Sequence, residues 1–168
     1  MEINISNLKK DSVLKVISII NKCNLPITVI ELKNTARSAK DAANSLKVPV
    51  GAIVKTLVFE IMSQNNQLPI ITLVAGDKKC NIDKVPKILK LNGNIIKPDA
   101  NKVKEITGYS IGGVSPIGLP KGIHIIMDLS LKRFDKIWSA AGHSHCVFSS
   151  SFDQLVKIIN PVLSDELT

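Results

Sequence analysis

Apolar residues return with a helical beat at the start of the chain, at Val13, Leu14, Ile17 and Ile20, with Val16 and Ile19 beside them. That spacing predicts a helix from Asp11 to Lys22, capped by Asp11 or Ser12 and stopped before Pro26. Residues 27–32 are rich in β-branched side chains and predict a short strand. A second helix is predicted over residues 35–48, with Ser38 as N-cap, Asp41 three positions on, and Ala42, Ala43 and Leu46 facing inward. Residues 54–62 and 68–75 read as two strands joined by the polar loop Ser63-Gln64-Asn65-Asn66-Gln67. Residues 82–91 predict a helix with Pro86 in its first turn, and residues 99–107 a helix capped by Asp99 and closed by Gly108. Further strands are predicted over 123–127, 134–140 and 145–149, and a closing helix over 152–159.

Strands and helices mix without a strict alternation, and no linker is long enough to divide the chain into separate domains. The pattern implies a single α+β domain over residues 1–168 around a mixed, curled sheet, with residues 1–24 as an N-terminal helical extension. The core must be aliphatic, because the chain holds only four Phe, one Tyr and one Trp.

Charge has two readings. Lys and Arg number 22 against 14 Asp and Glu, a net +8, which fits either a polyanionic partner or an ordinary solvated, lysine-rich surface. Only Arg37 and Arg133 are arginine. Cys23, Cys80 and Cys146 are too few and too scattered for a disulfide framework. No apolar leader or membrane-length run is present, so a cytoplasmic protein without membrane contact is expected.

Three places carry candidate chemistry. Lys55 heads an otherwise apolar strand, where a cation either reaches solvent or holds a phosphate, a carbonyl oxygen or an attacking water. The stretch from Ile111 to Pro120 holds three glycines and two prolines, so it is a loop whose N–H groups can approach an anion. It has neither the Gly-Lys-Ser/Thr ending of a P-loop nor a GxGxxG pattern. In Ala141-Gly142-His143-Ser144-His145-Cys146 the two histidines alternate and, on a strand, would share a face. With His124 the only other histidine, no metal set is completed, and no metal is expected there. Asp77 and Asp128 sit at strand ends, where Asp commonly serves turns.

The order of these pieces resembles the YbaK/EbsC family, the editing domains akin to the insertion domain of prolyl-tRNA synthetase. The matching stretches are Ile53-Val54-Lys55-Thr56-Leu57-Val58-Phe59, Val74-Ala75-Gly76-Asp77-Lys78-Lys79-Cys80-Asn81, and Thr107-Gly108-Tyr109-Ser110-Ile111-Gly112-Gly113-Val114-Ser115-Pro116-Ile117-Gly118. Residues 128–131, Ser139-Ala140-Ala141-Gly142 and His145-Cys146-Val147-Phe148 complete the set, over roughly residues 36–159. The resemblance implies a curved or barrel-like mixed β-sheet with surrounding helices, and a freestanding deacylase, needing neither metal nor organic cofactor, that hydrolyses the ester of mischarged tRNA, tRNA(Pro) with a small or medium amino acid foremost. It places Lys55, Gly112 and Gly113 in catalysis. Val114, Ser115, Pro116, Gly142 and His145 would bind substrate. The expected partners are the tRNA acceptor end and an aminoacyl-tRNA synthetase. The rival is a non-catalytic tRNA- or nucleotide-binding module on the same fold.

Overall fold

The computed structural model describes residues 6–168. Residues 1–5 of the expected N-terminal extension lie outside them. The elements in chain order are α1 (Asp11–Lys22), β1 (Val29–Glu31), α2 (Ala39–Leu46), β2 (Val54–Met62), β3 (Gln67–Ala75), α3 (Val85–Leu89), β4 (Asn94–Ile96), α4 (Ala100–Thr107), β5 (His124–Asp128), β6 (Ile137–His143), β7 (Cys146–Ser150), α5 (Phe152–Ile159) and β8 (Val162–Ser164). The α+β domain expected from the pattern is the one that forms.

Its strands divide into two sheets. One runs β1-β7-β6, all antiparallel; the other runs β4-β2-β3-β5-β8, with β3, β5 and β8 parallel to one another and β2 antiparallel to β3 and β4. Among the described residues these strands do not close into a barrel. A single isolated parallel bridge among the described residues, Ile53 to Trp138, links the sheet containing β2 to that containing β6. β3 is the hub: Ile70 to Ala75 are all buried, which fits the continuous apolar run that a two-sided strand needs.

Helix α1 buries Val13, Val16 and Ile20 in the main core cluster. Burying each such side chain contributes about 1.5–3 kcal/mol. Its cap differs from expectation. Lys10 occupies the N-cap with no side-chain bond, and the Ser12 hydroxyl instead donates to the Gly142 carbonyl at 2.8 Å. Ser38 caps α2, accepting from the Asp41 N–H, and Asp99 caps α4, accepting from the Lys102 N–H. Gly108 follows α4 in the left-handed conformation.

The strand expected over 134–140 begins later, at Ile137, because Leu129–Arg133 forms a 3-10 turn capped by the Asp128 carboxylate. β4 and β8, three residues each, carried too little alternation to be predicted.

Candidate functional site

β2 is long, but β4 pairs only with its far end, Glu60 to Met62. From Val54 to Phe59 the strand has β3 on one side and, among the described residues, no strand on the other. β6 is likewise the last strand of its own sheet. The two free edges meet at Ile53 and Trp138 and then diverge. A cavity of about 430 Å³ opens along this seam. Volumes of this size hold small ligands.

Its wall is mostly small or aliphatic: Ala36, Ala39 and Ala42 of the α2 region, Val54, Leu57 and Val58 of β2, and Val103 of α4 among others. Three cations, Arg37, Lys55 and Lys97, also line it, and among the described residues no Asp or Glu does. Thr56 and Ser139 belong to the same wall, and their buried hydroxyl oxygens have no hydrogen-bond partner among the described residues.

The structure brings Lys55, Gly112 and Val114 together on this wall, although nearly sixty positions of chain separate them. The Lys55 ammonium donates to the Lys78 carbonyl, so the turn after β3 holds it. The turn itself is tied down: Asp77 accepts both guanidinium arms of Arg133, at 2.9 and 2.7 Å. That bidentate contact holds the Asp77 carboxyl below its ordinary range.

The glycine loop is held from within. The fully buried Tyr109 donates its hydroxyl proton to the Ile117 carbonyl at 2.7 Å, and Thr107 anchors the Tyr109 N–H. Burial pushes the Tyr109 phenol up to about 12, so it stays a donor. The Gly113 N–H donates to the Ser110 carbonyl, and the Ser115 hydroxyl accepts from the Ile117 N–H. Gly113 is pressed against the backbone of His143: a Cβ there would lie 2.8 Å from the His143 Cα. Gly113, Ser115 and Pro116 are buried behind the cavity rather than on its wall.

Gly142 and His145 also lie off the wall. Gly142 sits in a β-bulge between Ala140 and His143, with φ +91° and its carbonyl bonded to Ser12. The two histidines do not share a strand face, because Ser144 and His145 form the turn between β6 and β7. The rings stack instead, with centroids 5.7 Å apart. The His143 Nδ1 accepts from the His145 N–H, and the His145 Nδ1 lies 3.1 Å from the Leu32 carbonyl oxygen. Burial, then Lys10 and His145, hold the His143 imidazole below its ordinary value.

Sequence reading missed Arg37, Lys97, Thr56, Ser139 and Trp138 as wall residues, and Tyr109 as the loop's anchor. Tyr109 alone carried a usable signal, being the sole tyrosine and standing beside the loop.

Comparison with known proteins now places this geometry. The family model for the aminoacyl-tRNA editing domain matches residues 33–158, which contain every wall residue named above. The chain is 32% identical over 114 residues to YwhH of Bacillus subtilis, covering 68% of this chain and 69% of that one. It is 30% identical over 112 residues to a proline–tRNA ligase of Lactobacillus acidophilus, covering 67% of this chain but only 19% of the ligase. A crystal structure described as a candidate trans-editing enzyme for prolyl-tRNA synthetase superposes with a TM-score of 0.82 at 26% identity, covering 95% of this chain and 98% of that one. The chain belongs to the aminoacyl-tRNA editing domain family.

Proposed function

We propose that this protein is a deacylase acting in trans, hydrolysing the ester between a mischarged small or medium amino acid and tRNA, with tRNA(Pro) as the carrier. The observation that carries the reading is the seam cavity, where Lys55, Gly112 and Val114 converge inside the editing domain. The likeness to proline–tRNA ligases over a fifth of their length and to the candidate trans-editing enzyme over its whole length supports the choice of tRNA.

An aminoacyl ester is already activated, so position and charge count for more than a strong nucleophile. Water attack generates a tetrahedral oxyanion, which N–H groups of the loop receive. Pro116 has no N–H and that of Gly113 is engaged by Ser110, so Gly112 and Val114 are the loop residues offered this role. Lys55, steadied by the Lys78 carbonyl, holds the ribose end or the attacking water. The apolar wall sets the size of acyl group accepted, each methylene changing discrimination by about 1–3 kcal/mol. No step calls on a metal.

The test is a deacylation panel of Ala-, Ser-, Cys-, Thr- and 2-aminobutyryl-tRNA(Pro), with Pro-tRNA(Pro) as the correct pair. Rapid hydrolysis of one or two mischarged species is expected. Hydrolysis of none, with tRNA binding intact, would replace this reading by a binding module.

A further inference from the structure

Only two of the chain's 22 basic residues are arginine. Arginine offers a planar fork of donors that fits a phosphate or carboxylate two-handed, whereas lysine is a mobile point charge. Arg133 is accounted for: its fork is filled by Asp77 and its Nε donates to the Ser130 carbonyl. Arg37 makes no ion pair and no side-chain hydrogen bond among the described residues. It is nevertheless positioned. A Cβ built on Gly112 would lie 3.2 Å from the Arg37 Cγ, 3.4 Å from its Cα and 3.5 Å from its Cβ. The root of the Arg37 side chain therefore lies beside the bare backbone of the glycine loop, at a cavity whose charged wall residues are, among the described residues, all cations, while the residue itself is exposed. An exposed guanidinium rooted there and left without an acid among the described residues offers its full fork of donors to an incoming anion.

We propose that Arg37 clamps the phosphodiester joining the terminal nucleotide of the bound tRNA to the nucleotide before it, with Lys97 as a second cation on the same wall. The ester then passes inward toward Lys55. This assignment rests on the deacylase reading and divides the labour of the site: Lys55 serves the ester, and Arg37 serves the nucleic acid. The bareness of Gly112 fits this, since a side chain there would crowd the root of the clamp.

The experiment compares wild type, Arg37→Lys and Arg37→Ala on the best aminoacyl-tRNA of the panel and on the same amino acid esterified to adenosine, which lacks that phosphate. Arg37→Ala should raise KM for the tRNA about 10- to 100-fold, the range of a charge-assisted hydrogen bond. It should leave kcat within about threefold and leave hydrolysis of the adenosine ester unchanged, while Arg37→Lys recovers only a fraction of the loss. A second arm measures binding of uncharged tRNA against salt. Arg37→Ala should shallow the log–log slope by about 0.7–0.9 for intact tRNA, and not for tRNA lacking its terminal adenosine. An unchanged KM and slope would overturn the proposal. So would an equal loss on the adenosine ester, which would move Arg37 to the oxyanion. If wild type hydrolyses no substrate, the deacylase reading falls, and the binding arm still decides the role of Arg37.

Discussion

Lys55 meets two opposed demands: its stem runs in a strand of apolar neighbours, and its ammonium must keep a polar partner. The Lys78 carbonyl answers the second demand and fixes where the charge stands. Gly112 shows the same economy. Its φ of +87° lies in the left-handed region, which costs a non-glycine residue about 1–2 kcal/mol. Gly112→Ala adds a Cβ that crowds the Arg37 Cγ at 3.2 Å. The variant should melt roughly 2–8 °C lower by calorimetry, and its KM for aminoacyl-tRNA should rise with the displaced arginine. Lys55 and Gly112 stood out in the sequence, as a cation in an apolar strand and a glycine in a cluster, and the structure adds that both line one cavity. Arg37 did not stand out, because the lack of an acid beside it among the described residues shows only in three-dimensional placement.

The hairpin of β6 and β7 supports the loop through one close backbone contact, Gly113 on His143. Its tip carries the protein's pH prediction. Burial holds the His143 imidazole below 6.5, with Lys10 and His145 acting in the same sense and Glu31 against them. As pH falls through that value, the unfolded chain takes up the proton before the folded one, so folding stability is lost on acidification. The neutral ring accepts the His145 N–H at Nδ1, a bond that protonation removes. Thermal stability should therefore decline as pH falls below about 6.5, and His143→Gln should flatten that decline. An identical pH profile in the variant would show that other groups govern it. At this scale most elements were legible: α1, α5, β2 and the caps Ser38 and Asp99 follow from periodicity and local chemistry. The edge strands β4 and β8 did not, because three residues that owe their extension to pairing leave no pattern of their own. The histidines were misplaced for a related reason, since alternation in the sequence cannot tell a strand from the turn of a hairpin.

The cavity belongs to the whole molecule. It exists because two sheets touch at one bridge and then diverge, exposing the edges of β2 and β6. No single segment encodes that divergence, and composition supplied only an α+β domain with room for a sheet. The net charge of +8 acts at the same scale. If three or four lysine–phosphate contacts carry tRNA binding, affinity should fall about 10- to 100-fold between roughly 50 and 200 mM salt. Hydrolysis of a phosphate-free aminoacyl-adenosine should change little over that range. Both trends are measured by steady-state kinetics on the two substrates.

The most direct test of the central claim is single-turnover deacylation of mischarged tRNA(Pro) by wild type and by Lys55→Ala, with the variant's melting temperature recorded alongside. A loss of about a hundredfold or more in rate, at unchanged melting temperature and unchanged tRNA affinity, is the predicted result. Full deacylation by Lys55→Ala would contradict the account and move the chemistry away from the seam between the two sheets.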